Sequence, residues 1–384
     1  MAAEKKIKLF VDAHVFDKEF QGTQTFIRGL YKSLLEKYSS ELEIYFGVND
    51  VDKLSSNLPF VSPSRILKYK KSNSNFLRLF TDVPYFIRKY QFDFAHFQNI
   101  SLQNKSSCKT IITLHDIIFN DFPNEFPLIY RNARNFLFRR SIKRAAVKTS
   151  VSTYSRDRIS YRYKILPEDI HVVPNAANYT LSNCSLSKKE ASSEIMEKFG
   201  IENFILCVSR IEPRKNHLLL FDKYLKLELY KKNIPLVFVG KKSIDVSHLN
   251  KRINELTEDQ KKMFYWYEQV SQEDLIRLYK ACRLFVYPSK AEGFGIPPLE
   301  AITCGAPVLC SNVSAMKDYY FFKPYTFDPD DEKDFEEKLN HTIHNLPTEN
   351  FIKKTADEVF NSYSWQRSAD IFYNLLNSNQ QCGN

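Results

Sequence analysis

Several things are missing from this chain of 384 residues, and each absence removes a class of protein. No stretch approaches the ~20 apolar residues that a membrane-spanning helix requires. The opening Met-Ala-Ala-Glu-Lys-Lys has no apolar signal region, so a cytoplasmic address is expected. The seven cysteines are odd in number and show no CxxC spacing, which argues against a disulfide framework and against a zinc site. The dinucleotide fingerprint GxGxxG is absent. So are internal repeats, and so is any recognisable nucleic-acid-binding module.

What is present is a globular composition, 43% hydrophobic, in a chain too long for one comfortable core. Two domains of roughly 150–200 residues are expected. The net charge of +10 is unevenly placed. Residues 1–180 hold 28 Lys/Arg against 17 Asp/Glu, whereas residues 181–384 hold 27 against 28. The whole excess lies in the N-terminal half and implies an anionic partner there: a membrane surface, a lipid pyrophosphate or nucleic acid.

The most informative stretch is Ser289-Lys-Ala-Glu-Gly-Phe-Gly-Ile-Pro-Pro-Leu-Glu300, running on to Gly305. Arg283 to Pro288 before it reads as a short buried strand. Pro297 and Pro298 suit the first turn of a helix, where a missing N–H costs nothing, and Gly305 suits its end. Gly293 and Gly295 let the backbone approach a ligand, and the free N–H groups at the helix start favour electron-rich oxygens. Glu292 and Glu300 are expected to face one cleft, each able to hold ligand hydroxyls. Two isolated glutamates would more simply be a turn residue and a helix-dipole partner; the complete string favours a site.

Other segments fit a pair of α/β domains. Lys5 to Asp12 reads as a strand, followed by Gly22 and a helix over Thr23 to Tyr38. Lys109 to Leu114 is a buried strand ending at His115 and Asp116, on the carboxyl side where open sheets bind ligands. Phe204 to Ser209 is another such strand. It delivers Arg210 to its end, and Lys215 is placed at the start of the next helix, a pairing suited to a diphosphate. Arg214 is equally compatible with solvent. Asp328-Pro-Asp330 reads as a helix cap rather than a metal motif. Residues 180–198 are serine-rich and polar, a natural linker. Residues 68–90 and 131–144 interleave Lys and Arg with aromatic residues. They fit either a solvated helix edge or docking on anionic lipid.

The Glu292-to-Glu300 spacing resembles the E-x7-E signature of family 4 retaining glycosyltransferases. Thr113, His115 and Asp116 match that family's T-x-H-D, and Arg210 to Lys215 match its basic pair. Only Gly22 stands where the family has two glycines, Ala176 replaces another glycine, and Glu268-Gln269 departs from the pattern near the nucleotide base. The resemblance implies an α/β GT-B fold, two Rossmann-like domains facing an interdomain cleft. Residues 1–180 would bind the acceptor, 181–200 would be the linker, 201–362 would bind the nucleotide sugar, and 363–384 would cross back to the first domain.

It implies equally a retaining hexosyltransferase that moves a sugar, with a lean to mannose, from a nucleotide-diphosphate donor. The acceptor would be a saccharide or lipid-linked saccharide of surface polysaccharide such as O-antigen or capsule, at the inner face of the cell membrane. Glu292, His115, Arg210 and Lys215 would carry catalysis. Donor contacts would come from Gly22, Thr23, Ser209, Gly293, Phe294, Gly295, Ile296 and Glu300, and Asp116 would orient His115 or meet the acceptor. Neither metal nor cofactor is implied. Two other classes compete: a non-catalytic sugar-nucleotide-binding relative, and a basic nucleic-acid-binding protein, for which no motif speaks.

Overall fold

The structure, a computed structural model, describes residues 6–18, 22–70, 76–103, 108–177, 186–243 and 246–381. Lys71 and residues 181–185 of the expected linker lie outside them. The chain divides into two units, Met1–Ala176 with Tyr363–Asn384, and Ala177–Ser362.

The first unit is built on seven parallel strands: β1 (Ile7–Asp12), β2 (Leu42–Val48), β3 (Ile66–Lys68), β4 (Phe94–Gln98), β5 (Lys109–Leu114), β6 (Val147–Ser150) and β7 (Ile170–Val172). Their order is β3-β2-β1-β4-β5-β6-β7. Parallel strands need crossovers, and helices on both faces bury them, which is why β1 and β4 read as near-continuous apolar runs. Phe10, Phe97, Ile112 and Leu114 form the centre of one layer with Val83 and Ile142 from the covering helices. The strand order reverses between β1 and β4, the switch point at which open sheets take ligands at their carboxyl ends.

The helix Gly22–Tyr38 buries Phe26, Ile27, Leu30 and Leu34, as its periodicity predicts. The final helix, Trp365–Gln381, belongs to this unit and lies along it. Tyr38 and Tyr373 stack with ring centroids 3.9 Å apart, and the Tyr38 hydroxyl donates to Asp370 at 2.6 Å. The basic-aromatic stretch forms two helices, Leu77–Phe80 and Asp82–Tyr90. The break falls at Thr81; Pro84 sits in the first turn of the second helix, where it removes no helical bond.

The second unit repeats the plan with β8 (Ile205–Val208), β9 (Leu236–Val239), β10 (Phe264–Tyr267), β11 (Leu284–Tyr287), β12 (Val308–Ser311) and β13 (Thr326–Phe327). The order is β10-β9-β8-β11-β12-β13, again parallel, with the reversal between β8 and β11. Half of the expected linker is in fact helix, Lys188–Phe199. Ser187 and Glu190 close a reciprocal capping box, and Ala191 and Ile195 are buried. Lys198 pairs with Asp274 at 2.7 Å. Of the serines that suggested a linker, Ser187 caps this helix, and Ser192 and Ser193 lie on its outer side. Before the helix Glu332–His344 the cap is Asp331, whose carboxylate accepts from the amides of Lys333 and Asp334, rather than Asp328 or Asp330. Among the described residues no helix is long and apolar enough to cross a membrane.

Candidate functional site

The switch point of the second sheet lies between the loops that follow β8 and β11. Arg210 leaves β8, and Pro213–Lys215 form a single tight turn ending at Asn216 in the left-handed region. Lys215 therefore precedes the helix His217–Lys226 rather than opening it. The loop after β11 runs through Glu292 to Gly295. Its φ of +92° caps the helix Ile296–Thr303, a conformation open to glycine at little cost.

Backbone bonds lace the two loops. The Lys290 amide donates to the Arg214 carbonyl at 2.8 Å, and the Arg214 guanidinium donates to the Ala291 carbonyl at 3.0 Å. The Glu292 amide donates to Ser314 Oγ at 2.8 Å, and Ser311 Oγ donates to the Ser289 carbonyl at 2.6 Å. The Tyr319 hydroxyl holds the Phe294 carbonyl at 2.6 Å.

Inside this frame the charges are concentrated. Lys215 and Glu292 are buried and joined in an ion pair through Nζ and Oε1. The Tyr287 hydroxyl donates to the same oxygen at 2.7 Å, and Lys215 Nζ lies 3.1 Å from that hydroxyl. Arg214 Nη1 is 3.9 Å from the other Glu292 oxygen. Glu212, also buried, binds Arg214 at 2.8 Å and Arg210 at 3.1 Å. Burial alone would raise the Glu292 carboxyl, but Lys215 and Arg214 outweigh it and hold the group down to about 2. Burial pulls Lys215 below its usual value, with Glu292 pulling back.

Three cations thus face two carboxylates, leaving one positive charge in excess. Arg210 is the cation directed to solvent, its side chain 54% exposed against 10% for Lys215. Glu300 is in a different setting. Its carboxylate accepts from the Tyr279 hydroxyl at 3.3 Å, and burial pushes it up to about 7.

The structure therefore brings together Arg210, Lys215, Glu292 and the Gly293–Ile296 turn, with Glu300 one helical turn further on, while the Ser209 hydroxyl at the end of β8 lies 3.2 Å from His217 Nε2. Arg214, left open by the sequence, is a half-buried member of the cluster, and Glu212 and Tyr287 join it unannounced. A carboxylate next to Pro-Arg-Lys was the available signal for Glu212. In the first unit Gly22 opens the long helix and Thr23 follows it. From that helix Phe26 meets the His115 ring edge-on at 5.2 Å. His115 Nε2 lies 2.7 Å from the Gln98 amide, and burial lowers the imidazole to about 4, so it is neutral at pH 7. Asp116 accepts from the Ile118 amide at 3.1 Å, closing a local turn.

Among the described residues no group of three or more His, Cys, Asp or Glu side chains is placed to hold a metal ion. Cys108, Cys207, Cys282, Cys304 and Cys310 are buried.

Two Rossmann-like sheets, each with its switch point, and an E-x7-E turn facing a basic loop define a glycosyltransferase of the GT-B fold. A family model described as Glycosyl transferases group 1 matches residues 188–359, and one described as Glycosyltransferase Family 4 matches residues 22–180. Together they take in both units, and the chain belongs to this glycosyltransferase family.

Among similar proteins are the serotype-specific mannosyltransferase WbdA of Escherichia coli and the O-antigen chain mannosyltransferase RfbU of Salmonella typhimurium. WbdA is 27% identical over 71% of this chain and 34% of its own length. RfbU is 29% identical over 71% of this chain and 68% of its own. The chain thus spans about a third of the length of the WbdA proteins it matches. Among solved structures, sucrose-phosphate synthase from Thermosynechococcus elongatus superposes with a TM-score of 0.75 at 16% identity, covering 99% of this chain and 100% of that one. Anabaena HepE in complex with UDP-glucose gives 0.72 at 16%, covering 97% and 100%.

Proposed function

We propose that this protein is a retaining hexosyltransferase that moves mannose, or a closely related hexose, from a nucleotide-diphosphate sugar to a saccharide or lipid-linked saccharide in surface polysaccharide assembly. The observation that carries the reading is the excess positive charge at the second switch point. Arg210 shares Glu212 with Arg214 but is exposed, while Arg214 and Lys215 are drawn inward against Glu212 and Glu292. A diphosphate departing from the sugar is met by preorganised cations, the arrangement that stabilises developing charge most strongly. The mannosyltransferase relatives support the choice of sugar.

In this reading Glu292 and the Gly293–Ile296 backbone hold the sugar, Glu300 holds the ribose, and His115 touches a sugar oxygen. The acceptor attacks on the face the phosphate leaves, and the phosphate takes its proton, so no separate general base is needed. The same cations do the work a divalent metal would do, and turnover is expected to continue in EDTA. The reading places the enzyme at the cytoplasmic membrane face. The exposed Phe80, Leu128, Ile129 and Phe136, set among lysines and arginines of the first unit, would meet anionic lipid there.

Thermal stabilisation against GDP-, UDP-, dTDP- and ADP-sugars tests the donor class. A ligand at 100 times its dissociation constant adds about 2.7 kcal/mol. Arg210→Ala should keep the fold and lose transfer by on the order of 10²–10³-fold; unchanged turnover would sink the clamp. Stabilisation by no sugar nucleotide would point to a degenerate relative, or to a site that needs its acceptor first.

A further inference from the structure

A chain of buried polar groups runs through the first sheet beneath His115, and its hydrogen-bond polarity can be read from its ends. Thr149 Oγ1 lies 3.2 Å from the Ile112 carbonyl, which only accepts, so Thr149 donates. Its neighbour Thr113 Oγ1, at 2.7 Å, must then donate to Thr149. Thr113 in turn accepts from His96 Nε2, also at 2.7 Å, which fixes His96 as the Nε2–H tautomer. The other end agrees. The Tyr31 hydroxyl is fully buried with His96 Nδ1 as its partner at 2.5 Å, and a buried hydroxyl gives its proton to the acceptor it has. All four of these side chains are at most 1% exposed.

Gln98 is the next link. One end of its amide lies 3.3 Å from His96 Nε2, and the other 2.7 Å from His115 Nε2. An amide NH2 facing the protonated His96 Nε2 would oppose two donors. A half-turn of the amide exchanges oxygen and nitrogen in almost the same space. The oxygen then shares the His96 Nε2 proton with the nearer Thr113 hydroxyl, and the NH2 donates to His115 Nε2.

We propose that Gln98, set by the Tyr31–His96–Thr113–Thr149 chain, holds His115 as the Nδ1–H tautomer, so that His115 donates a hydrogen bond to a ligand oxygen. Gln98 and His96 are positioning residues. Neutral imidazole is what such a relay needs, and burial keeps both rings neutral, His96 at about 3 and His115 at about 4. The Asn99 side chain fixes the His115 backbone as well, accepting from its amide at 3.3 Å. The part of the inference that concerns the sugar rests on the reading of His115 given above; the tautomer does not.

Long-range proton–nitrogen spectra of the full-length protein labelled with 15N-histidine test it, with His115→Asn and His96→Asn identifying the signals. The expected result at pH 7.5 is Nδ1–H for His115 and Nε2–H for His96. A His115 ring protonated at Nε2 would overturn the proposal whatever the protein catalyses. Gln98→Leu should release the tautomer and lower kcat/KM, with the sugar nucleotide that the stabilisation panel selects, by about tenfold. Gln98→Met, similar in size but unable to donate or accept, should show the same loss, whereas a residue that merely fills space would be replaced by Met without loss. Full activity of Gln98→Met with an unchanged His115 tautomer also overturns the positioning role. If the wild type turns over none of the GDP-, UDP-, dTDP- and ADP-sugars, the donor reading has failed, and the spectra alone decide the relay.

Discussion

The indole of Trp365 packs directly against Gly29. A methyl group built on that glycine would come within 2.0 Å of the ring carbon Cε2. The contact joins the C-terminal helix to the long helix of the first unit, with Phe26 edge-on to the same indole at 6.3 Å. Gly29→Val should therefore displace the last helix, and Trp365→Ala should leave a cavity, each costing about 3 kcal/mol. The expected signature is a lower denaturation midpoint with early proteolysis near Ser364. Wild-type stability of Gly29→Val would mean that the helix is not held there.

Lys215 and Glu292 stabilise one another only as a pair. Removing one charge leaves the other buried and uncompensated, at a cost of about 3–5 kcal/mol. Lys215→Met should show that loss. The double variant Lys215→Met/Glu292→Gln should recover much of the stability while remaining inactive. A double variant as unstable as the single one would contradict the coupling.

The same pair sets an acid limit. The folded Glu292 titrates at about 2, against an ordinary 4.5, so its contribution is complete above pH 4.5 and is lost as pH falls toward 2. The acid-unfolding curve of wild type between pH 5 and 2 should therefore be steeper than that of Glu292→Gln. Parallel curves would show that the ion pair does not form.

Glu300 carries the opposite sign. Its folded value of about 7 lies above 4.5, so folding favours the protonated form, and stability falls as pH rises from 4.5 through 7. Glu300→Gln should gain on wild type between pH 5 and pH 8, by on the order of 1–2 kcal/mol. A constant difference across that range would place the carboxyl in a more polar setting.

Membrane contact has its own assay. Ile129 is 85% and Phe136 69% exposed on a helix that carries six Lys or Arg residues between 131 and 144. Ile129→Ser/Phe136→Ser should weaken flotation with phosphatidylglycerol vesicles at least tenfold, given ~25 cal/mol per Å2 of apolar burial. Raised salt should weaken it further. No binding of wild type to such vesicles would remove the membrane from the picture.

Much of this was legible in the sequence because it is local. Apolar strands, a proline pair at a helix start and two glutamates eight positions apart are periodic or contiguous signals. Arg210 and Lys215 were readable for the same reason. What the sequence withheld are meetings across long separations: Tyr287 and Lys215 on one carboxylate oxygen, Ser314 under the Glu292 amide, Gln98 between two histidines. The Lys188–Phe199 helix was hidden differently. Its serines resemble a linker, and only the Ser187–Glu190 cap and two buried apolar positions betray it.

The return of residues 365–381 to the first unit gives the chain an order of completion. The half made first on the ribosome is finished last, because its covering helix emerges only after the whole second unit. Between those moments the apolar faces that meet Trp365, Phe372 and Leu376 are without their cover. A nascent chain stalled before residue 365 should hold a mature second unit beside an unfinished first one, and it is the first that a chaperone would find.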